Sequence, residues 1–268
     1  MAKKRILYVS QEITPYLPEN DLSKTSRFLP QAMNESGIDV RLFMPRFGCI
    51  NERRHQLHEV IRLSGMNLIV NDIDQPLIIK VASIPQARMQ VYFIDNEEYF
   101  KRKFTTEDKK GDFYSDNDER ALFFCRGVIE SVKKLGWSPD VIHCNGWMAS
   151  FLPMYLKKFY HDDPIFEKTK IVVSLYNQSF EGTLSDGLTD KLKFDGYSEE
   201  ELAGFEKADY KKLAETAINY SDAVIKGSTE LDEDLLKLIE DSKLPTLEYS
   251  DGEYKEQYKP FYETLFEE

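Results

Sequence analysis

Short apolar runs alternate with amphipathic stretches along most of the chain. Arg5 to Ser10 (RILYVS) is β-rich and almost continuously apolar, as a strand buried on both faces of a parallel sheet must be. A polar, proline-bounded loop follows. From about Leu22 to Ser36 the apolar positions recur at helical spacing, and Gly37 stands where helices commonly end. Val40 to Met44 (VRLFM) predicts a second strand, stopped by Pro45. Strand, helix and strand make one βαβ unit, whose crossover is expected to be right-handed.

The pattern then changes. Val60 to Val70, Leu77 to Ser83 and Gln90 to Ile94 carry β-branched and alternating residues without helical separators, predicting an antiparallel insertion or sheet extension. Asn117 to Leu135 predicts a strong helix, with Leu122, Cys125, Ile129 and Val132 on one stripe. Asn117 or Asp118 is expected to cap its start and Gly136 to end it. Alternation resumes with a strand at Val141 to His143, a helix from Trp147 to Tyr160 and a strand at Ile171 to Leu175. A long polar helical region from about Ser198 to Tyr220, a strand at Ala223 to Ile225 and a helix from Glu230 to Ile239 complete the series. The fold class is α/β: a Rossmann-like parallel sheet with helices on both faces plus an antiparallel β insertion. No repeat or Gly/Ser linker interrupts it. Residues 1–242 therefore read as one domain, and 243–268, rich in Tyr, Glu and Lys, as a helical or partly disordered tail.

Composition narrows the chemistry. A chain of 268 residues with 41% hydrophobic content can bury a substantial core. The formal net charge of -12 makes the surface acidic and repels phosphate backbones, so nucleic acid is not expected as a partner. Cys49, Cys125 and Cys144 are odd in number and form no C-x-x-C pair, which fits a reducing compartment and argues against disulfides or zinc. His55 and His58 sit in a charged stretch that reads as solvated surface. No cofactor or metal is expected. The apolar segment Ile6 to Val9 is too short for a signal-peptide core, and no run reaches membrane-spanning length. The expectation is a cytoplasmic protein with no membrane partner.

In an open parallel sheet, ligands bind beyond the carboxyl ends of the strands. Gln11 to Asp21, Cys144 to Trp147, Tyr176 to Gly182 and Lys226 to Thr229 are the loops at those ends. The first has no glycine, so it is not a G-x-G-x-x-G turn, and no Walker A, G-x-S-x-G or H-E-x-x-H pattern occurs.

Longer stretches carry more information. Tyr92 to Arg102 (YFIDNEEYFKR) and Tyr114 to Trp147 (YSDNDERALFFCRGVIESVKKLGWSPDVIHCNGW) lie in order with ILYVSQEITPY, GIDVRLFMPRFG, IVVSLYNQSFEG and INYSDAVIKGST. Together they resemble the N-terminal, starch synthase catalytic-type domain of the bacterial glycogen/starch synthase family, glycosyltransferase family 5. The resemblance implies one half of a GT-B architecture, in which two Rossmann-like domains face each other across a cleft. It implies transfer of glucose from ADP-glucose to the non-reducing end of an α-1,4-glucan, with retention and without a metal. The present chain corresponds to the first of the two domains.

Against that pattern several polar positions differ. Where the family has a Lys-x-Gly-Gly-Leu loop, this chain has Pro18-Glu19-Asn20-Asp21-Leu22. A backbone without those glycines approaches a phosphate less closely, and Glu19 and Asp21 repel one. A family His-Asp-Trp becomes Asn145-Gly146-Trp147, and a family His-Asn becomes Tyr176-Asn177. The candidate ligand-binding residues are Asn20, Asp21, Asn145, Trp147, Tyr176 and Asn177; no catalytic residue is assigned. Trp147 also reads as packing at a helix start, and Asn177 as closing a turn. Tyr176 and the charged first loop are expected to fill the space where the strand-end loops meet. Three functional readings follow. The first is an inactive relative serving as a binding or regulatory module, with an α-glucan or nucleotide sugar as ligand. The second is a transferase half completed by a C-terminal-half partner protein or a dimer. The third is a Rossmann domain repurposed for another small ligand.

Overall fold

The computed structural model describes residues 3–266. Strand β1 (Arg5–Ser10) leads through the first loop into helix α1 (Asp21–Glu35) and returns as β2 (Asp39–Pro45), completing the βαβ unit the pattern predicts. The insertion begins with the single turn α2 (Glu52–His55). It continues through β3 (His58–Glu59), β4 (Met66–Val70), β5 (Ile73–Ile84) and β6 (Met89–Asp95). A short α3 (Glu97–Phe100) and the long α4 (Asn117–Leu135) precede β7 (Val141–Asn145), α5 (Leu152–Phe159) and β8 (Lys170–Leu175). Then come α6 (Leu188–Phe194), α7 (Tyr210–Asn219), β9 (Ala223–Lys226), α8 (Glu233–Ser242), β10 (Thr246–Leu247) and α9 (Lys259–Phe266).

The sheet runs in the order β10-β9-β8-β7-β1-β2-β6-β5-β3, with β4 pairing β5 off that path. Pairing is parallel from β10 across to β6 and antiparallel where β5 meets β6, β3 and β4. The antiparallel expectation therefore holds for β4 and β5, although the expected strand from Val60 begins only at Met66; β6 pairs antiparallel with β5 and also extends the parallel sheet beside β2. From β1 the chain builds outward on one side through β2 and on the other through β7, β8 and β9. The switch point falls between β1 and β7, where an open α/β sheet leaves its crevice.

Several expected boundaries move, each for a physical reason. The helix expected from Trp147 begins as a 3-10 turn, Trp147–Ala149, and α5 starts only at Leu152. Pro153 has no N–H to donate and its ring crowds a preceding turn, so it is best accommodated in the first turn of a helix, where it stands in α5. The continuous helix expected from Ser198 is absent. Turns and a 3-10 segment, Phe205–Lys207, precede α7, whose start is set by Asp209 accepting from the Lys212 N–H at 2.8 Å. Neither Asn117 nor Asp118 caps α4. Asp116 occupies that position without a capping side-chain bond, its carboxylate being paired with Arg102, while the expected caps are drawn into other contacts. Asn117 donates to the Thr106 carbonyl at 2.8 Å, and Asp118 accepts from Lys191 at 2.7 Å and Ser185 at 2.6 Å.

The last segment lies against the sheet. Tyr258, Tyr262 and Leu265 are buried, and the Tyr262 hydroxyl meets His143 Nδ1 at 2.7 Å. The other ring nitrogen of His143 meets Ser174 Oγ at 2.6 Å, so both polar ends of this wholly buried imidazole are satisfied. Burial pushes its pKa down to about 3. The tail expectation also included Glu267 and Glu268, which lie outside the described residues.

Candidate functional site

At the switch point the crevice is packed shut. The Gln11 N–H donates to the Asn145 carbonyl at 2.9 Å, and the Gln11 side-chain oxygen accepts from the Met148 N–H at 3.2 Å. Gly146, at φ +87°, passes so close that an added Cβ would lie 2.7 Å from Gln11 Cβ and 2.8 Å from Leu22 Cδ1. Only glycine fits that backbone and that gap.

The replaced polar positions complete the closure. Tyr176, 1% exposed, donates its hydroxyl to Asn145 Oδ1 at 2.9 Å. Burial raises the Tyr176 pKa well above the ordinary phenol value, so the ring stays neutral. Its ring edge approaches β9's exit so closely that a Cβ on Gly227 would sit 2.5 Å from it. Asn145 spends its amide on its own strand, at the His143 carbonyl 3.3 Å away. A pocket of about 10 Å³, no larger than one water needs, lies between Cys144, Gly146, Trp147 and Tyr210. Tyr176 is thus packed into the strand-end junction as expected, whereas the first loop, also expected to fill that space, borders an open cavity.

The other candidates disperse. Trp147 packs with Phe113 and Phe180 at ring distances of 5.8 and 5.0 Å. Asn177 bridges to the segment before α8, donating to the Glu230 carbonyl at 2.5 Å and accepting from the Asp232 N–H at 3.0 Å. It joins two loops rather than closing its own turn. Asn20 caps α1 by accepting from the Ser23 N–H at 2.7 Å, which satisfies one orphan donor of the helix. Its amide reaches back to Glu12 at 2.6 Å. Asp21 faces the opposite side of the helix start, toward Tyr249 and Tyr254.

An open cavity of about 620 Å³ lies beside this closed junction, between the first loop and residues 103–108. Glu12, Tyr16 and Asn20 form one wall; Phe104, Glu107 and Asp108 form the other. Burial raises the Glu12 pKa above the usual carboxylate value, against hydrogen bonds from Asn20, Gln11 and Gln178 that lower it. A carboxyl so placed can hold a proton or accept from a ligand hydroxyl. Glu12, Glu107 and Asp108 outnumber Lys103, so the wall disfavours phosphate and suits a neutral hydroxylated ligand. Glu12 was not singled out in the sequence. The signal available was a carboxylate two residues after the first strand, in a chain where carboxylates are everywhere. Among the described residues, no group of three or more His, Cys, Asp or Glu side chains is placed to hold a metal ion. Nor is any helix among them long and apolar enough to cross a membrane.

A parallel sheet wound both ways from β1, with its loops converging at the switch point, defines an α/β domain of the GT-B glycosyltransferase class. The starch synthase catalytic domain model matches residues 5–244, and the chain belongs to that family. Glycogen synthase from Chlorobium luteolum is 38% identical over 189 residues, covering 70% of this chain and 39% of that protein. Glycogen synthase from Chlorobaculum parvum is 35% identical over 225 residues, covering 82% and 45%. The chain thus spans less than half the length of these relatives. Among solved structures, the catalytic domain of starch synthase IV from Arabidopsis thaliana, bound to ADP and acarbose, superposes with a TM-score of 0.69. It is 18% identical, and the match covers 84% of this chain and 45% of that one.

Proposed function

We propose that this chain is a glycogen synthase-type lobe that no longer transfers glucose by itself and acts as a binding or regulatory module for an α-glucan or nucleotide sugar. The observation that carries the reading is the Tyr176–Asn145 hydrogen bond at 2.9 Å in the closed strand-end junction. At both places the family resemblance calls for an imidazole, and the carboxylate it calls for next to Asn145 is Gly146 in this chain. A neutral phenol bonded to a neutral amide supplies neither charge nor a mobile proton. The first loop supports the same reading. Asn20 spends its side chain on capping α1 and on Glu12, where the family pattern has glycines free to approach a phosphate. The test is an assay of the purified chain with ADP-glucose or UDP-glucose and a glycogen primer. No glucosyl transfer above the enzyme-free blank is expected; sustained turnover would overturn the reading.

The open cavity favours a second reading. Glu12, with its raised pKa, still faces a space of about 620 Å³, so the acceptor-side wall of a two-walled cleft is available. In that case a partner protein or a second copy supplies the nucleotide-sugar wall. Mixing the chain with candidate partners and following both complex formation and transfer decides between the two readings.

A further inference from the structure

A second open space lies on the far side of α1. It is a trough of about 470 Å³, within the range of ligand pockets, between the outer face of α1 and residues 249–254. Residues 249–254 follow the stretch that matches the starch synthase catalytic domain, which ends at 244. One wall of this trough is therefore built by a part of the chain outside the family match, and the other by α1 within it.

Its lining has a definite chemistry. Asp21, Thr25, Phe28 and Glu35 recur along one helix face, so the trough extends over about 21 Å at 1.5 Å per residue. Phe28 is 45% exposed although it lies in a concave surface. Tyr249 and Tyr254 face it from the other wall; burial, and then the nearby Asp21 and Asp251 carboxylates, raise both phenol pKa values. Aromatic faces interleaved with carboxylate, hydroxyl and amide groups match a ligand with apolar C–H faces and a rim of hydroxyls. Anionic ligands are disfavoured by Asp21, Glu35 and Asp251. Glu35 is already paired with Lys255 at 2.9 Å, and Lys24 also lines the trough, so a small cation finds less net charge than the carboxylates suggest. The length of the trough suits a chain rather than a compact ion.

We infer that this trough is an accessory binding site for a neutral oligosaccharide, separate from the strand-end cavity; taking that oligosaccharide to be of the α-1,4-glucan type rests on the proposed function. The two spaces flank the start of α1, where Asn20 lines one and Asp21 the other. A glucan lying along α1 is thereby held beside the strand-end cavity. The inference does not rest on whether the chain transfers glucose, because its test reads binding alone.

The full chain is titrated with maltoheptaose by calorimetry and by affinity electrophoresis in glycogen-containing gels. Wild type is expected to bind and to be retarded. Phe28→Ala and Tyr249→Ala are each expected to weaken binding at least 10-fold, while Phe194→Ala, at an exposed aromatic elsewhere, leaves it unchanged. Thermal unfolding confirms that each variant is folded. Tyr249→Phe keeps the ring and should retain most of the affinity, which separates loss of stacking from loss of structure. Binding that survives both alanine variants overturns the inference. So does absence of binding at millimolar maltoheptaose, or stronger binding of spermine or of a basic peptide than of the sugar.

Discussion

Two regions meet at the first turn of α1 and have been resolved in opposite ways. At the β1/β7 switch point, Gln11, Gly146, Asn145 and Tyr176 interlock through close packing and hydrogen bonds. A few residues away, Glu12, Asn20 and Phe104 border a cavity of about 620 Å³, with Phe104 40% exposed. Both regions sit where an open parallel sheet presents its loops. The difference is that the closed one is held by buried, mutually satisfied polar groups, whereas the open one keeps a carboxyl in a costly, partly desolvated state. Polar side chains at strand ends can therefore serve stability in one loop and remain available to a ligand in the next.

The contrast can be broken first at Tyr176. Tyr176→Ala removes a fully buried ring and leaves Asn145 Oδ1 without its donor. A loss of about 3–5 kcal/mol is expected, measured by urea denaturation. Gly146→Ala pushes a Cβ into Gln11 and Leu22 from a backbone conformation that only glycine adopts readily, for an expected cost of about 2–4 kcal/mol. A change within ~0.5 kcal/mol at either position would show that the junction is looser than its geometry implies.

Acid sharpens the comparison next. His143 sits in the same buried layer, with a folded pKa of about 3 against an ordinary 6.5. Below pH 6.5 the unfolded chain takes up a proton that the folded chain refuses. Its contribution to stability is therefore present above that value and lost as pH falls toward 3, at up to about 1.4 kcal/mol per pH unit. His143→Gln should flatten that limb of the stability–pH curve; an unchanged slope would place the acid sensitivity elsewhere.

The open side gives smaller effects. Glu12 has a raised folded pKa, so its ionised form costs stability at neutral pH and its protonated form does not. Glu12→Gln keeps the acceptor for Asn20 and removes the charge. The melting temperature should rise at pH 7, and the gain should shrink as pH falls through the folded pKa. Phe104→Ala should change stability by no more than ~0.5 kcal/mol, since its ring is partly in water. A larger loss would mean that the cavity wall is part of the core.

Much of the architecture was legible because it is local. Arg5 to Ser10 could be little other than a buried strand, and the stripe through Leu122, Cys125, Ile129 and Val132 could be little other than one face of a helix. The errors fell where a side chain had a distant partner to choose. Asn117 and Asp118 look like caps, yet they serve Thr106 and Lys191, and no spacing rule reaches that far. The stretch from Ser198 to Tyr220 is helical by composition, but burial of Leu202 and Phe205 and capping by Asp209 divide it. Of the candidate site, the altered residues were readable by comparison with the family pattern. Their division into closed and open groups was not, nor was the importance of Glu12.

By itself the order of residues determined most of the strands, the principal helices and the acidic surface, since each depends on neighbours in the chain or on summed charge. Only the tertiary structure decided that Tyr176 meets Asn145, that Glu12 is desolvated and that residues 249–254 wall a trough along α1. Those outcomes depend on which groups share a small volume after folding. Burial, and with it the strength of a hydrogen bond or the cost of a charge, has no value until that volume exists.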